Sequence, residues 1–350
     1  MLGQPGIKSS IRIGETGLRE SAAYLLDHGG FSGVPPTALV KFSQVKFNIN
    51  SSGSDSSPPY KIASLQRFVN HDSDAGDLGP SSFSVISVHH IGILDVRLMN
   101  LDRHSGNILV RRGKEGYNGE KAELVPIDHG FCLPESLDDP YFEWLHWPQA
   151  SIPFSEAEVD YISRLDPYKD AEMLRTELPL IRESSIRILV LCTIFLKQAT
   201  AYGLCIADIG EMMTREFHGG EANWSSLEKL CISAKARLSK GLLDEHPQLQ
   251  TSLTESKKSE SPRFPSMNAS ESIKKEHYLA NEKKVLDNPK CLVRSLSLPP
   301  QNYNPNGEAV SFGDMDDKEW QSFLEIFVKL LPKAFEERKS MAFQCKNACR

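Results

Sequence analysis

Three oxygen-bearing side chains set the chemistry that this sequence can be asked to perform. Asp102 and Asn107 stand five residues apart in Asp102-Arg103-His104-Ser105-Gly106-Asn107, a polar loop between two apolar stretches. Asp128 follows 21 residues after Asn107, in Ile127-Asp128-His129-Gly130 at the end of a short apolar run. Phosphoryl transfer from ATP needs such a set: one Asp faces the attacking hydroxyl, while an Asn and a second Asp hold metal ions on the phosphates. The D-x-x-x-x-N spacing matches the catalytic loop of kinases, and Asp-x-Gly after a strand matches their metal-binding turn. Either half alone is an ordinary loop or turn. The two together, in this order and with apolar flanks, point to a kinase-like site.

On that reading Asp102 orients, and can deprotonate, the acceptor hydroxyl. Arg103 stabilises either the loop or the phosphate charge; its plain alternative is an exposed ion pair worth little. Asn107 and Asp128 supply oxygen ligands to Mg²⁺ or Mn²⁺. The same two residues would equally suit a turn and a helix cap. His104 is read as a packing residue, because one carboxylate suffices for the chemistry. Trp144, Trp147, Tyr141 and Phe142 fit core and rim packing better than an acceptor wall.

The elements around these residues must hold them together. Val88, Ile91, Leu94 and Leu98 recur at helical spacing, predicting a helix over 87–99 that delivers the Asp102 loop. Residues 107–110 and 123–127 read as two short strands joined by a Gly-rich loop over 113–122, a hairpin that would bring Asn107 and Asp128 close. Upstream, Thr16 is expected to cap a helix that runs through Asp27 and carries Glu20. Strands are expected from 37 and over 61–69, with a flexible loop at 50–59 between them and irregular chain over 71–82. Downstream, Ser155-x-x-Glu158 predicts a capping box at the start of a helix over 155–165. Further helices are expected over 172–180, 184–201 with a Ser cap and Gly203 as its stop, 206–215 and 224–238. From 239 to 314 Ser, Lys, Glu, Pro and Asn dominate and no apolar period persists, so this segment is read as a disordered linker. Over 315–350 a final amphipathic helix returns, its stripe being Trp320, Phe323, Leu324, Phe327, Val328 and Leu331. Its acidic start opposes an anionic membrane and favours docking on the globular part or on a partner.

Composition narrows the classes. The chain has 350 residues, 40% hydrophobic and 25% charged, ordinary for a globular protein. A net charge of −6 gives no overall basic footprint for nucleic acid. Its seven cysteines form no C-x-x-C pair, which favours reduced thiols over a disulfide framework or zinc site. The N-terminus has no apolar signal-peptide core. The longest apolar run, 188–196, is about half of what a membrane span needs and reads as a buried helix.

The stretches GETGLRESAAYLLD, VPPTALVKF, KIASLQRFV, NLDRHSGNILVRR, ELVPIDHGFCLPE and DDPYFEWLHWPQASIPFS resemble the phosphatidylinositol 3- and 4-kinase superfamily. Within it they are most similar to the gamma, type II-like branch of phosphatidylinositol 4-kinases. The likeness covers about residues 2–238. It implies an α+β, two-lobed kinase-like fold with a mostly helical C-lobe, binding ATP between the lobes. Over residues 1–238 this would be the catalytic domain. By position in the family pattern, Gln66, Arg67, Phe68 and Val69 would form the hinge strand that meets adenine. Glu20 would be the helix glutamate that pairs with an ATP-binding lysine, although a lone helix Glu is more often a solvated one. Family members carry a Gly-rich strand pair and that lysine upstream. Here the chain opens beyond them, Lys8 lies too close to the Glu20 helix, and Lys41 falls on a later strand. The resemblance therefore implies a truncated product with an incomplete N-lobe and a weakened nucleotide clamp. The implied reaction is ATP-dependent phosphorylation of the inositol ring of phosphatidylinositol. The alternatives are a Ser/Thr protein kinase of the same branch and a catalytically silent interaction protein. The substrate implies a cytoplasmic protein working peripherally at a membrane surface. Separately, Arg294-Ser295-Leu296-Ser297-Leu298-Pro299 fits the R-S-x-S-x-P pattern read by 14-3-3 proteins once Ser297 is phosphorylated.

Overall fold

The computed structural model describes residues 3–43, 60–111, 122–218, 221–245 and 309–348. The loop expected at 50–59, most of that at 113–122, and residues 246–308 with Ser297 lie outside them. The chain divides into a large compact unit, Met1–Gly241 with Asn306–Arg350, and a second unit, Leu242–Pro305. Only the last residues of one helix of the second unit are among the described residues.

The large unit is α+β. Helix α1 (Thr16–Leu26) is followed by an antiparallel pair, β1 (Thr37–Ser43) and β2 (Tyr60–Gln66), in register from Thr37↔Gln66 to Ser43↔Tyr60. The pair packs on α1 at Gly17, where a Cβ would fall 2.9 Å from the Ser64 amide nitrogen. Next come β3 (Ser73–Asp74) and α2 (Val85–Leu98), the helix expected over 87–99. β4 (Ile108–Arg111) and β5 (Glu123–Pro126) form the expected hairpin, and the sheet order is β3-β4-β5. Helices α3 (Glu156–Arg164), α4 (Pro167–Glu177), α5 (Glu183–Ala201) and α6 (Ile206–Met213) follow. The short pair β6 (Phe217–His218) and β7 (Glu221–Ala222) leads to α7 (Ser226–Glu245) and, last, α8 (Asp317–Ala348).

Helix α5 is the centre of the core. Ile188, Leu189, Leu191, Phe195 and Leu196 are fully buried, and α2, α3, α4 and α8 all pack against it. By length and composition α5 could cross a membrane, but 78% of its apolar stretch is buried inside the protein. The α8 stripe docks on this core through Phe323, Leu324, Phe327, Leu331 and Phe335. Arg187 reinforces the junction, donating to the carbonyls of Phe312 and Met315 at 2.7 and 2.6 Å.

Several boundaries differ from expectation, each for a local reason. Glu15, not Thr16, occupies the N-cap of α1, and its side chain pairs with Arg19 and Arg182 instead of capping. Arg182 likewise starts α5 two residues before the expected Ser cap, because its carbonyl accepts from the Ser185 and Ile186 amides at 3.0 and 3.1 Å. Helix α4 starts early because Asp166 accepts from the Tyr168 and Lys169 amides, with Pro167 in the first turn. The strand expected to reach Val69 stops at Gln66. Arg67 makes one last bond to the Pro36 carbonyl at 2.8 Å, but Pro36 has no N–H to extend the ladder. Helix α7 continues to Glu245, past the expected start of the linker. At the linker's far end Val310 and Phe312 are buried in the core.

Candidate active site

The geometry starts from a carboxylate that the motifs leave unmentioned. Asp95, in the last turn of α2, is fully buried. Its oxygens accept from Arg103 Nε at 3.1 and 3.0 Å, from Asn100 Nδ2 at 2.9 Å and from Trp144 Nε1 at 3.0 Å. Met99 closes the helix in the left-handed region (φ 47°), an uncommon conformation for a residue with a side chain. The Asn100 amide then bonds back to the Asp95 carbonyl at 3.0 Å. The chain so reversed enters the Asp102 loop.

Arg103 is the clamp of that loop. Its guanidinium is fully buried against Asp95, and Nη1 donates to the carbonyls of Asn107 at 2.6 Å and Ile127 at 2.7 Å. One side chain thereby joins α2, the end of the loop and the start of the Asp128 turn. Of the two roles expected for Arg103, stabilising the loop or the phosphate charge, its full burial and these bonds match the first. A planar fork that bonds in fixed directions suits this task, and lysine's single ammonium does not.

The clamp brings the three sequence-predicted residues to one place. Asn107 Nδ2 donates to the Asp102 carbonyl at 2.9 Å, so of its side chain only the oxygen could ligate a cation. The Ile127 amide donates to the Asn107 carbonyl at 3.0 Å, so Asp128 follows directly on that contact. Asp128 itself has φ 51°, left-handed backbone that holds strain at a non-glycine position. Burial raises the Asp102 carboxyl above its ordinary pKa, with His104 and Lys8 pulling the other way. Burial raises Asp128 too, and the carboxyl of Glu20, hydrogen-bonded to it, raises it further. An all-oxygen set with crowded negative charge fits a hard divalent cation. Among the described residues no three Asp, Glu, His or Cys side chains cluster as a complete metal cage. A cation here would share its coordination with nucleotide phosphates.

Glu20 therefore does face the site from α1, beside Asp128, and among the described residues no lysine bonds it. Gly130 permits this approach, since a Cβ there would meet Thr16 Cβ at 3.2 Å and Glu20 Oε1 at 3.6 Å. Buried Arg19 secures the same helix to the turn by donating to the Leu133 carbonyl. His129 is fully buried with no hydrogen-bond partner on either ring nitrogen, and burial lowers its pKa to about 3, so it stays neutral. His104 does not pack. It is exposed, and its Nδ1 accepts from the Gly106 amide at 3.1 Å to cap the turn before β4. The four proposed adenine-side residues separate: Gln66 lies at the end of β2 and donates to Thr37 Oγ1 at 2.9 Å, while Arg67, Phe68 and Val69 are outside any strand. Phe68 is 78% exposed.

Asp95 and Asn100 are the positioning residues that motif reading misses. A signal did exist, because Asp95 is an acid amid the otherwise apolar run Ile91–Val96.

An α+β fold that presents this pair of motifs from one buried clamp is that of an ATP-dependent phosphotransferase working with a divalent metal. Comparison with known proteins agrees. Residues 1–209 match the phosphatidylinositol 3- and 4-kinase family. The chain is 50% identical over 390 aligned residues to phosphatidylinositol 4-kinase gamma 1 of Arabidopsis thaliana, covering 99% of this chain and 70% of the relative. To gamma 8 of the same plant it is 51% identical, over 96% of this chain and 69% of the relative. To gamma 7 it is 63% identical over 240 residues, 67% of this chain and 37% of the relative. The chain belongs to the phosphatidylinositol 3- and 4-kinase family.

Proposed function

We propose that this protein is a phosphatidylinositol 4-kinase, transferring the γ-phosphoryl group of ATP to the 4-hydroxyl of the inositol ring. The observation that carries the reading is the convergence of Asp102, Asn107 and Asp128 around the Arg103 clamp, in a chain so similar to phosphatidylinositol 4-kinases. Asp102 orients the ring hydroxyl and takes its proton as the oxygen bonds to phosphorus and the bond to ADP breaks. Its raised pKa makes it a better proton acceptor than an ordinary aspartate. Asn107 and Asp128 hold the divalent ion, which we take to be Mg²⁺ with Mn²⁺ as a substitute. That ion supplies neutralisation of the phosphate charge. Glu20 stands beside Asp128 and adds its carboxyl to that side of the site.

The lipid is presented at a membrane surface, and the protein meets it as a peripheral, cytoplasmic enzyme. The test is transfer of labelled phosphate from ATP to vesicles of phosphatidylinositol in phosphatidylcholine, with a Ser/Thr peptide as a parallel acceptor. The expected result is phosphatidylinositol 4-phosphate, formed only with a divalent ion. Label on the peptide alone would refute the reading. We also propose Ser297 as a 14-3-3 docking residue. A phosphopeptide over 294–299 should bind a 14-3-3 protein, and equal binding of its unphosphorylated form would end the idea.

A further inference from the structure

The segment 141–144 runs alongside the Asp102 loop as a short parallel β-bridge. The Arg103 amide donates to the Tyr141 carbonyl at 3.0 Å, and the Glu143 amide donates to the Arg103 carbonyl at 2.9 Å. In such a pairing alternate residues point to opposite faces, and paired residues share one. The burial pattern obeys this. Arg103, Phe142 and Trp144 point inward and are buried, whereas Asp102, His104, Tyr141 and Glu143 lie on the accessible face. Tyr141 and Glu143 therefore stand next to Asp102, on the side where an acceptor must arrive.

The two side chains are already joined, Tyr141 OH donating to Glu143 Oε2 at 3.1 Å. Their backbone is held in place from several directions. Trp144 bonds Asp95, Asp139 accepts from the Arg215 amide at 2.8 Å, and Asp138 accepts from Ser10 Oγ at 2.7 Å. A rigid base of this kind suits a recognition surface. The pair offers a carboxylate with acceptor lone pairs to spare and a tyrosine that is 39% exposed. That chemistry fits a ring carrying several hydroxyls, whose O–H groups donate to the carboxylate while its C–H face rests on the phenol. A serine or threonine acceptor has one hydroxyl and would leave the carboxylate unused.

Resting on the function proposed above, we infer that Tyr141 and Glu143 are acceptor-specificity residues, binding the inositol hydroxyls that flank the one presented to Asp102. They do no chemistry on the phosphate. Their loss should weaken acceptor binding and leave nucleotide binding in place.

The test compares wild type, Tyr141→Ala, Glu143→Gln and Glu143→Asp for transfer to phosphatidylinositol vesicles, with KM measured separately for lipid and ATP. Binding of soluble glycerophosphoinositol provides a second readout, independent of turnover. The expected result is a KM for lipid raised about tenfold in Tyr141→Ala and in Glu143→Gln, the scale of one lost hydrogen-bonding contact. KM for ATP should move less than about twofold, glycerophosphoinositol binding should weaken in parallel, and Glu143→Asp should recover part of the loss. If wild type phosphorylates the lipid and both variants keep its KM, the inference is overturned while the proposed function stands. If wild type phosphorylates only the peptide, the proposed function fails and the inference fails with it. Equal losses toward peptide and lipid would overturn selectivity for a polyol ring.

Discussion

Replacing Asp95 with Asn probes the clamp without changing its size. In the native protein Asp95 Oδ1 receives Asn100 and Arg103, and Oδ2 receives Arg103 and Trp144. An amide group replaces one oxygen by a donor, which must then face the Trp144 indole N–H or the Asn100 amide. It also removes the charge opposite a fully buried guanidinium. Breaking one side of a buried ion pair costs about 3–5 kcal/mol. Arg103 keeps its bonds to the Asn107 and Ile127 carbonyls, and the new side chain keeps one acceptor, so the lower end applies. About 3 kcal/mol should lower Tm by about 6–12 °C in a domain of this size. Those two carbonyl bonds position Asn107 and Asp128, so a guanidinium re-aimed by the loss of its counter-charge carries both with it, and a shift of about 1 Å at such a site costs about 10²-fold in rate. The assay is thermal unfolding together with kcat, measured well below the variant's Tm so that both proteins are folded. An Asp95→Asn protein melting within about 2 °C of wild type, with kcat within about twofold, would refute the clamp argument.

Three further outcomes follow from the same structure. Asn107→Ala and Asp128→Ala should each weaken ATP binding about tenfold or more in the presence of Mg²⁺ and little in its absence, as calorimetry would show. Burial alone would raise the Glu158 carboxyl, but hydrogen bonds from His89 and Ser155 bring it below its ordinary value of 4.5. Its stabilisation is then present above that value and lost as pH falls through the depressed folded one. Glu158→Gln should therefore lower the urea midpoint at pH 7 and flatten its decline on acidification. Gly92→Ala would set a Cβ 2.8 Å from Ile206 Cγ1 and 3.4 Å from the Trp144 ring. The overpacking should cost about 1–3 kcal/mol, visible as a lower denaturant midpoint.

Local signals were legible in the sequence. The apolar period of α2, the hairpin that joins Asn107 to Asp128 and the Ser155–Glu158 capping box all depend on neighbours within a few residues. The structure has each of them. The α8 stripe was legible as an apolar face, and its partner, α5, became known only from the fold. What stayed hidden was long-range. Arg103 reads as a loop cation until Asp95 is seen behind it and Ile127, 24 residues on, in front of it. The start of α5 was missed because Arg182 is held by Glu15 and Glu135 from far upstream. Phe312 reads as part of a polar linker, yet the core and the Arg187 guanidinium capture it. Tyr141 reads as part of an aromatic packing cluster, and Glu143 carries no sequence signal of its own. Only their pairing with residue 103 puts them on the face of Asp102.

The central claim is that Asp102 and Asp128 act in one site on an inositol hydroxyl. Its most direct test is the initial rate of phosphatidylinositol 4-phosphate formation by wild type, Asp102→Asn and Asp128→Asn under saturating Mg²⁺ and ATP. The account predicts a divalent-dependent rate in wild type and a loss of at least about 10²-fold in each variant, with melting temperatures close to wild type. A wild-type rate in either variant, or phosphate attached at another ring position, would contradict it.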